Sequence, residues 1–269
     1  EELVKLMDQK ASVIISILST AALAASNDSL VEILHSLSRL AGCPTLGAKM
    51  AKRRCAIFMA VRNLSHKQRE VRGKSLDLCH AFLGHRANAR PSKTVHESNL
   101  DLIVGGLMKA VSAESDPRLQ LSQIRIMGSL IVRDDIAKEQ KWNVMTLLRT
   151  IAKSEGCDGP TMEAQLCYLI SATTIGFNEE VVATVAAFTT SEYAKVRNKA
   201  LGLVKEISFW HPHAARLLFD STDLLENLSL IISHGSDEDC ADAAQASKQF
   251  VSDEVNHQFF CIDTAFVAS

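Results

Sequence analysis

The feature of this sequence that most constrains its fold is a recurring alternation of short apolar segments and longer amphipathic segments. The short segments cover residues 30–40, 100–111, 143–152, 180–188 and 224–233. The longer segments that follow them cover residues 51–65, 119–132, 161–175, 195–210 and 239–251. The last four short segments start 43, 37 and 44 residues apart. This interval predicts stacked helical repeats, because a single helix pair cannot bury such apolar faces alone.

Composition favours helices over strands. The chain has 12 Gly, 5 Pro and only 2 Tyr among 269 residues, whereas an all-β domain needs turn residues about every 8–12 positions. The first repeat interval, from residue 30 to residue 100, is long enough to hold one more helix, which we predict at 70–83. We therefore predict an all-α fold, a right-handed α-solenoid of about five to six repeats. An irregular helical bundle is the alternative.

We predict one helical-repeat domain over residues 1–269. It comprises an N-terminal capping helix at 1–27, the repeats at 28–255 and a C-terminal tail at 256–269. The apolar stretch at 11–25 is shorter than the roughly 20 residues that a membrane span needs, so we predict no transmembrane segment. Its apolar side chains predict one buried helical stripe; they are Val13, Ile14, Ile17, Leu18 and Ala21.

The seven cysteines are scattered and show neither CxxC nor CxxH spacing. This pattern is typical of reduced thiols rather than of a zinc site or a disulfide framework. We therefore expect a cytoplasmic or nuclear protein.

Three segments resemble the third helix of armadillo repeats. Residues 61–65 (VRNLS) resemble the end of such a helix, residues 200–208 show the same spacing of small and apolar positions, and residues 127–130 are a looser version. On this basis residues 28–255 resemble the armadillo/HEAT-like helical-repeat family. The resemblance implies that third helices line a concave groove. In import receptors and related adhesion proteins, repeated Asn side chains in that groove bind an extended peptide.

The positions that correspond to this Asn ladder hold Asn63, Ser129, Ser171 and Glu206, so only one of them is Asn. The Trp array that accompanies the ladder in import receptors is also missing, since the sequence contains only Trp142 and Trp210. We therefore expect the groove to bind its partner through contacts that differ from those of a receptor for nuclear-localisation peptides.

Charge is segregated along the chain, although the formal net charge is only −2. Residues 49–93 carry a local balance of +10, from Lys49, Lys52, Arg53, Arg54, Arg62, Lys67, Arg69, Arg72, Lys74, Arg86, Arg90 and Lys93 against Glu70 and Asp77. Residues 220–254 carry a balance of −8. The basic region predicts an anion-binding surface; the alternative is a set of solvated helix faces whose charges do not converge.

The sequence offers no recognisable catalytic motif. His211-Pro212-His213 is better explained by a loop than by a metal pair, because its spacing does not place both rings on one helical face. Gly105-Gly106 lies within an apolar helix, where close packing explains it better than phosphate binding. Asp134-Asp135 is typical of a solvated turn. We predict no enzyme activity, no catalytic or metal-binding residue and no cofactor.

Two functions follow as hypotheses. The first is a non-enzymatic scaffold or adaptor that binds a protein or an acidic peptide through the groove. The second is a helical-repeat binder of RNA, DNA or a phosphoinositide through residues 49–93. The predicted partner-binding residues are Lys52, Arg53, Arg54, Arg62, Asn63, Arg69, Arg72, Gln123, Ser129, Asn198 and Lys205.

Overall fold

A computed structural model describes residues 2–84, 97–133, 136–153, 159–220 and 223–252. These residues form fourteen α-helices and no strand, which confirms the predicted all-α fold class. The predicted tail, Asp134-Asp135 and the basic residues Arg86, Arg90 and Lys93 lie outside the described residues. The chain divides into two compact units, residues 1–140 and 141–269, and each is described by itself.

The first unit consists of two rows of helices. Its helices are α1 (Glu2–Ala24), α2 (Asn27–Gly42), α3 (Pro44–Met50), α4 (Arg54–Asn63), α5 (Arg69–Gly84), α6 (Glu97–Ala113) and α7 (Pro117–Ile131). In the first row α4 packs between α1 and α6, and in the second row α5 packs between α2 and α7. The fully buried side chains between the rows include Leu34, Ile57, Leu78, Ile103 and Leu107.

The second unit repeats this two-row arrangement. Its helices are α8 (Lys138–Ala152, which begins just before the boundary), α9 (Gly159–Ile175), α10 (Glu179–Phe188), α11 (Ala194–Trp210), α12 (Pro212–Asp220), α13 (Leu224–His234) and α14 (Asp237–Ser252). In its second row α11 packs between α9 and α14, while α12 and α13 pack against α10 in the first row. Each unit therefore buries a continuous core between its rows, as stacked repeats do.

Local sequence explains where several helices begin and end. The Asp116 carboxylate caps α7 by accepting hydrogen bonds from the backbone N–H groups of Arg118 (2.9 Å) and Leu119 (3.2 Å), and Pro117 occupies the first turn, where its missing N–H costs nothing. Asn178 caps α10 in the same way. Gly176 ends α9 with φ of +101°, a left-handed conformation that side chains disfavour.

An arginine in the second row of the first unit ties its helix to the next repeat. Arg72 of α5 donates from Nε and Nη2 to the two carboxylate oxygens of Glu114, at 2.9 and 2.8 Å. Its Nη1 donates to the backbone carbonyls of His66 and Lys67, at 3.1 and 3.0 Å. The Glu114 side chain is only 1% exposed, so this pair is part of the packed structure.

The second unit contains the same arrangement. Arg197 of α11 donates to Asp239 (Nη2 to Oδ2, 2.7 Å) and to the backbone carbonyls of Ser191 and Glu192. In both units the acidic residue lies 42 positions after the arginine, and the carbonyls lie five and six positions before it. These shared spacings are an independent sign of the repeat length that the sequence predicts.

Three sequence predictions about helix placement are wrong. The segment at 51–65 was expected in the groove row, but α4 packs in the first row and the predicted additional helix, α5, takes the groove position. His211-Pro212-His213 is not a loop, because Pro212 begins α12. Among the described side chains of α1, Ile15, Ser19 and Ala22 are buried, whereas Val13 and Ile17 are more than half exposed.

None of the described helices is long and apolar enough to cross a membrane.

Candidate functional site

The second row of the first unit carries a groove with a volume of about 720 Å³. Three helices, α2, α5 and α7, line it. We call it the α2/α5/α7 groove; its residues are Val31, Glu32, Arg69, Glu70, Gly73, Lys74, Leu76, Asp77, His80, Leu119, Ser122, Arg125, Ile126 and Ser129. The volume falls within the range of about 300–1,000 Å³ that is typical of ligand sites.

The α2/α5/α7 groove combines an apolar floor with a charged rim. Val31, Leu76, Leu119 and Ile126 supply the apolar surface, and exposed side chains from all three helices surround it. An apolar centre with a polar border is the usual anatomy of a protein interface. The groove is therefore suited to one apolar side chain of a ligand that carries polar or charged groups on either side.

Gly73 of α5 gives the groove depth beside α7. A Cβ atom at this position would lie 3.6 Å from Leu119 Cδ2, an ordinary van der Waals contact, so packing alone does not require glycine here. Ser122 and Ser129 are the small residues on the facing side of α7. Small side chains on both helices leave open space that larger residues would fill.

Several charges on the groove rim are paired within the protein. Arg69 forms an ion pair with Asp116, and Lys74 Nζ lies 3.3 Å from Asp77 Oδ2. Burial alone would raise the pKa of Asp116, but hydrogen bonds from the backbone N–H groups of Leu119 and Arg118, together with Arg69, lower it. Asp116 therefore stays ionised and holds the Arg69 side chain at the α7 end of the groove.

Two of the predicted partner-binding residues, Arg69 and Ser129, line the α2/α5/α7 groove. Ser129 also donates its hydroxyl to the carbonyl of Ile126 at 2.7 Å. Their role in binding stays a prediction.

The exposed residues Lys52, Arg53, Arg54 and Arg62 lie elsewhere, on and beside α4 in the first row. The first three are at the start of α4 and Arg62 is at its end. At 1.5 Å per residue, the backbone positions of Arg54 and Arg62 are about 12 Å apart along the helix. These four cations, which are part of the basic region of the sequence, are thus divided between the two ends of α4, and none of them lines the α2/α5/α7 groove.

Three of the predicted partner-binding residues are buried or hydrogen-bonded within the protein itself, which corrects the sequence prediction for them. Asn63 is 8% exposed and donates to the carbonyl of Met59. Gln123 is 1% exposed, and Arg72 is committed to Glu114 and two carbonyls. Helical periodicity alone predicts a groove position for these three residues, because it does not distinguish a position that faces the groove from a neighbouring buried one.

In the second unit, the predicted residues Asn198 and Lys205 lie on α11 and contact α14. Lys205 Nζ donates to Asp242 Oδ1 at 2.7 Å and to Gln245 Oε1 at 2.8 Å. Asn198 Nδ2 lies 2.9 Å from Asp239 Oδ1 in the amide orientation that satisfies its donors and acceptors. Part of the acidic segment at 220–254 therefore balances the cations of α11.

Of the two ladder positions in the second unit, Ser171 differs from expectation and Glu206 does not. Ser171 is fully buried and donates to the carbonyl of Cys167 at 2.6 Å, so it cannot contact a partner. Its neighbour Ile170 is 46% exposed instead. Glu206 is exposed on α11, as a groove position requires.

Sequence reasoning missed several groove residues, including Glu32, Gly73 and Arg125, and it counted Lys74 and Asp77 only within the basic region at 49–93. The signal was present in α5, where Glu70, Lys74 and Asp77 lie at intervals of four and three residues as a charged helical stripe. The repeat pattern gives an additional helix at 70–83 no place in the groove, so periodicity alone does not identify this stripe as a groove surface.

No family model and no curated protein matches this chain. Solved structures do match. A computationally designed armadillo repeat protein for modular peptide recognition superimposes with a TM-score of 0.58 at 12% identity, over 86% of this chain and 98% of that chain. A designed armadillo repeat protein in complex with the peptide (KR)4 gives a TM-score of 0.58 at 12% identity, over 87% and 98%.

An engineered protein matches with a TM-score of 0.57 at 16% identity, over 87% of this chain and 95% of that chain. Identities this low establish similarity of fold and nothing finer. The helix order and these superpositions agree with the resemblance drawn from the sequence. The chain therefore has the all-α helical-repeat fold of armadillo-type solenoids.

Proposed function

We propose that this protein is a non-enzymatic binding scaffold that takes an extended peptide segment of a partner protein across α2, α5 and α7. The observation that carries the proposal is the α2/α5/α7 groove, whose apolar floor and charged rim come from the second row of the first unit. The designed neighbours that recognise peptides share the fold, which supports the proposal without identifying a partner.

The groove dimensions suit a peptide. Packed helices lie about 8–10 Å apart, so α2 and α7 are separated by roughly two such spacings. An extended chain advances about 3.3 Å per residue, and about six residues therefore span the three helices. Alternate side chains of an extended peptide face the same way, so three of the six can reach the groove.

The test selects ligands and then blocks the site. A random heptapeptide library is selected on the intact protein, and the affinity of the recovered peptides is measured by fluorescence anisotropy. Gly73→Leu, which extends a side chain into the groove, should weaken binding by at least about tenfold, because an anchor at the centre of an interface carries most of the binding energy. The matched control is Gly202→Leu on α11, where nothing lies within 4 Å of an added Cβ.

Selected peptides whose affinity is unchanged by Gly73→Leu would refute the α2/α5/α7 groove as the binding site. Circular dichroism of both variants verifies that the fold is retained. Leucine is a better helix former than glycine, so neither variant should lose helical content.

A further inference from the structure

The outer face of α4, in the first row of the first unit, carries one aromatic side chain between two cations. Arg54, Phe58 and Arg62 are four residues apart in the sequence, and all three are exposed. At 100° per residue they lie within about 80° of arc, so they form one stripe along the helix. Ala56 and Ala60, on the opposite side of α4, are buried. We call the three exposed residues the α4 stripe.

Neither cation of the α4 stripe is neutralised within the protein. In the part of the chain that the structure describes, the guanidinium groups of Arg54 and Arg62 contact no carboxylate and form no hydrogen bond. They differ in this respect from Arg69 and Arg72, which both pair with carboxylates. The positive charge of the α4 stripe is therefore available to a partner.

The neighbouring helix α6 adds a third unpaired cation. Gly106 of α6 lies so close to Val61 of α4 that there is no room for a Cβ atom, which places this part of α6 beside the end of α4. Lys109 follows Gly106 by three residues, is exposed and has no partner among the described residues. Gly105 has nothing within 4 Å of an added Cβ, so the surface beside the α4 stripe is open.

From this arrangement we infer that the α4 stripe binds an acidic helical segment of a partner protein, with an apolar side chain on Phe58 between two carboxylates. Charge complementarity carries the inference, because unpaired cations lie at both ends of a stripe whose central Phe58 is 50% exposed. Arginine and aromatic residues are also enriched at protein interfaces. Arg54 and Arg62 are about 12 Å apart along α4, and acidic residues eight positions apart on a partner helix have the same separation.

This surface is separate from the α2/α5/α7 groove, which is lined by no residue of the α4 stripe, so the inference does not depend on the proposed function. A protein segment fits better than a lipid surface, because lipid-binding clusters contain about 4–8 cations, and the stripe with Lys109 supplies fewer. It also fits better than a nucleic acid, whose successive bases stack on several aromatic side chains, whereas α4 has only Phe58.

Three alanine-rich helical peptides of about 20 residues, long enough to form a helix in water, test the inference. The first carries Glu, Leu and Glu at intervals of four residues, the second carries Gln in place of both Glu, and the third carries Ala in place of Leu. Fluorescence anisotropy with the intact protein measures their affinities. We expect the first peptide to bind about fivefold more tightly than the second, since exposed ion pairs contribute modestly, and more tightly than the third, which lacks the apolar contact.

Variants of the α4 stripe assign each preference to its residues. Arg54→Gln/Arg62→Gln should abolish the preference for the Glu peptide over the Gln peptide, and Phe58→Ala should abolish the preference for Leu over Ala. The matched control is Lys195→Gln/Lys199→Gln on α11, which also removes two exposed cations four residues apart and should leave both preferences intact. Thermal melts verify that each variant is folded.

Alkylation of Cys55 locates the bound peptide, because this exposed residue lies on the same side of α4 as Phe58 and Arg62. The Glu peptide should slow the modification of Cys55 and leave the rate at Cys240 in the second unit unchanged. Equal affinity of the Glu and Gln peptides, or a Cys55 that is not protected, would overturn the inference. Duplex RNA, or vesicles of phosphatidylserine and phosphatidylcholine, would also overturn it by binding more tightly than the peptide and through the same two arginines.

Discussion

The pair formed by Arg72 and Glu114 offers the sharpest test of how the repeats are held together. Arg72 makes four hydrogen bonds, two to Glu114 and two to the carbonyls that precede α5. Replacing it by Met keeps the length and apolar character of the side chain but removes every donor. Glu114, with a side chain 1% exposed, is then left without its cation.

The structure sets the size of the effect. Breaking a buried ion pair by removing one partner costs about 3–5 kcal/mol, because an uncompensated charge stays buried. The lower end applies here, since Arg72 is 16% exposed and Glu114 also accepts a hydrogen bond from the backbone N–H of Asp116 at 3.0 Å. We expect Arg72→Met to lower the free energy of unfolding by about 3 kcal/mol. The double variant Arg72→Met/Glu114→Leu should lose less than about 1.5 kcal/mol, because no charge remains buried.

Urea unfolding followed by circular dichroism at 222 nm measures these changes, and hydrogen exchange locates them at α5 and α7. The double-mutant cycle should give a coupling of about 1.5 kcal/mol or more. The reasoning would be refuted if Arg72→Met cost less than about 1 kcal/mol, or if the two single substitutions were simply additive. Either result would mean that the recurring arginine contacts the next repeat without stabilising it.

Three further predictions follow from other positions. Gly106→Ala should destabilise the protein by about 1–3 kcal/mol, because its Cβ would lie 2.3 Å from a valine methyl of α4. Gly105→Ala should stabilise the protein by about 0.5–1 kcal/mol, because nothing lies within 4 Å of its Cβ and alanine is the better helix former. Thermal melts compare the two variants. The Arg197 guanidinium lowers the pKa of the Asp239 carboxyl, so the contribution of Asp239 to stability is complete above its unfolded pKa of about 3.9 and is lost as pH falls through the lower folded value. Asp239→Asn should therefore flatten the acid limb of the stability–pH profile, and an unchanged limb would contradict this. Burial raises the pKa of the Cys79 thiol to about 12, so a thiol reagent at pH 8 should label the exposed Cys55 in the folded protein and reach Cys79 only on unfolding, as mass spectrometry of labelled peptides would show.

Helical periodicity was sufficient to predict the repeats. Apolar residues at helical spacing, separated by caps such as Asp116-Pro117, define most of the helices from α6 onward. Gly106 also packs closely, as its place in an apolar helix predicted. Periodicity does not show which of the two rows a helix belongs to, because helices of both rows bury an apolar face. Only contacts between repeats place α4 with α1 and α6.

The groove could be predicted only in part for a related reason. A run of positive charge in the sequence does not show which cations are paired with carboxylates elsewhere. Arg72 and Arg197 each find an acidic partner 42 residues away, a separation that equals about one repeat and is therefore recoverable once the repeat length is known. Positions such as Glu32, which face the groove from α2, depend on how α2 packs against α5 and could not be inferred from charge alone.

The central claim, that the α2/α5/α7 groove binds a peptide, is tested most directly by hydrogen exchange of the intact protein with and without a library-selected peptide. The proposal predicts that exchange slows in α5 and α7 on binding, while α10 and α13 in the first row of the second unit are unchanged. Slower exchange confined to α4, or to the second unit, would contradict it.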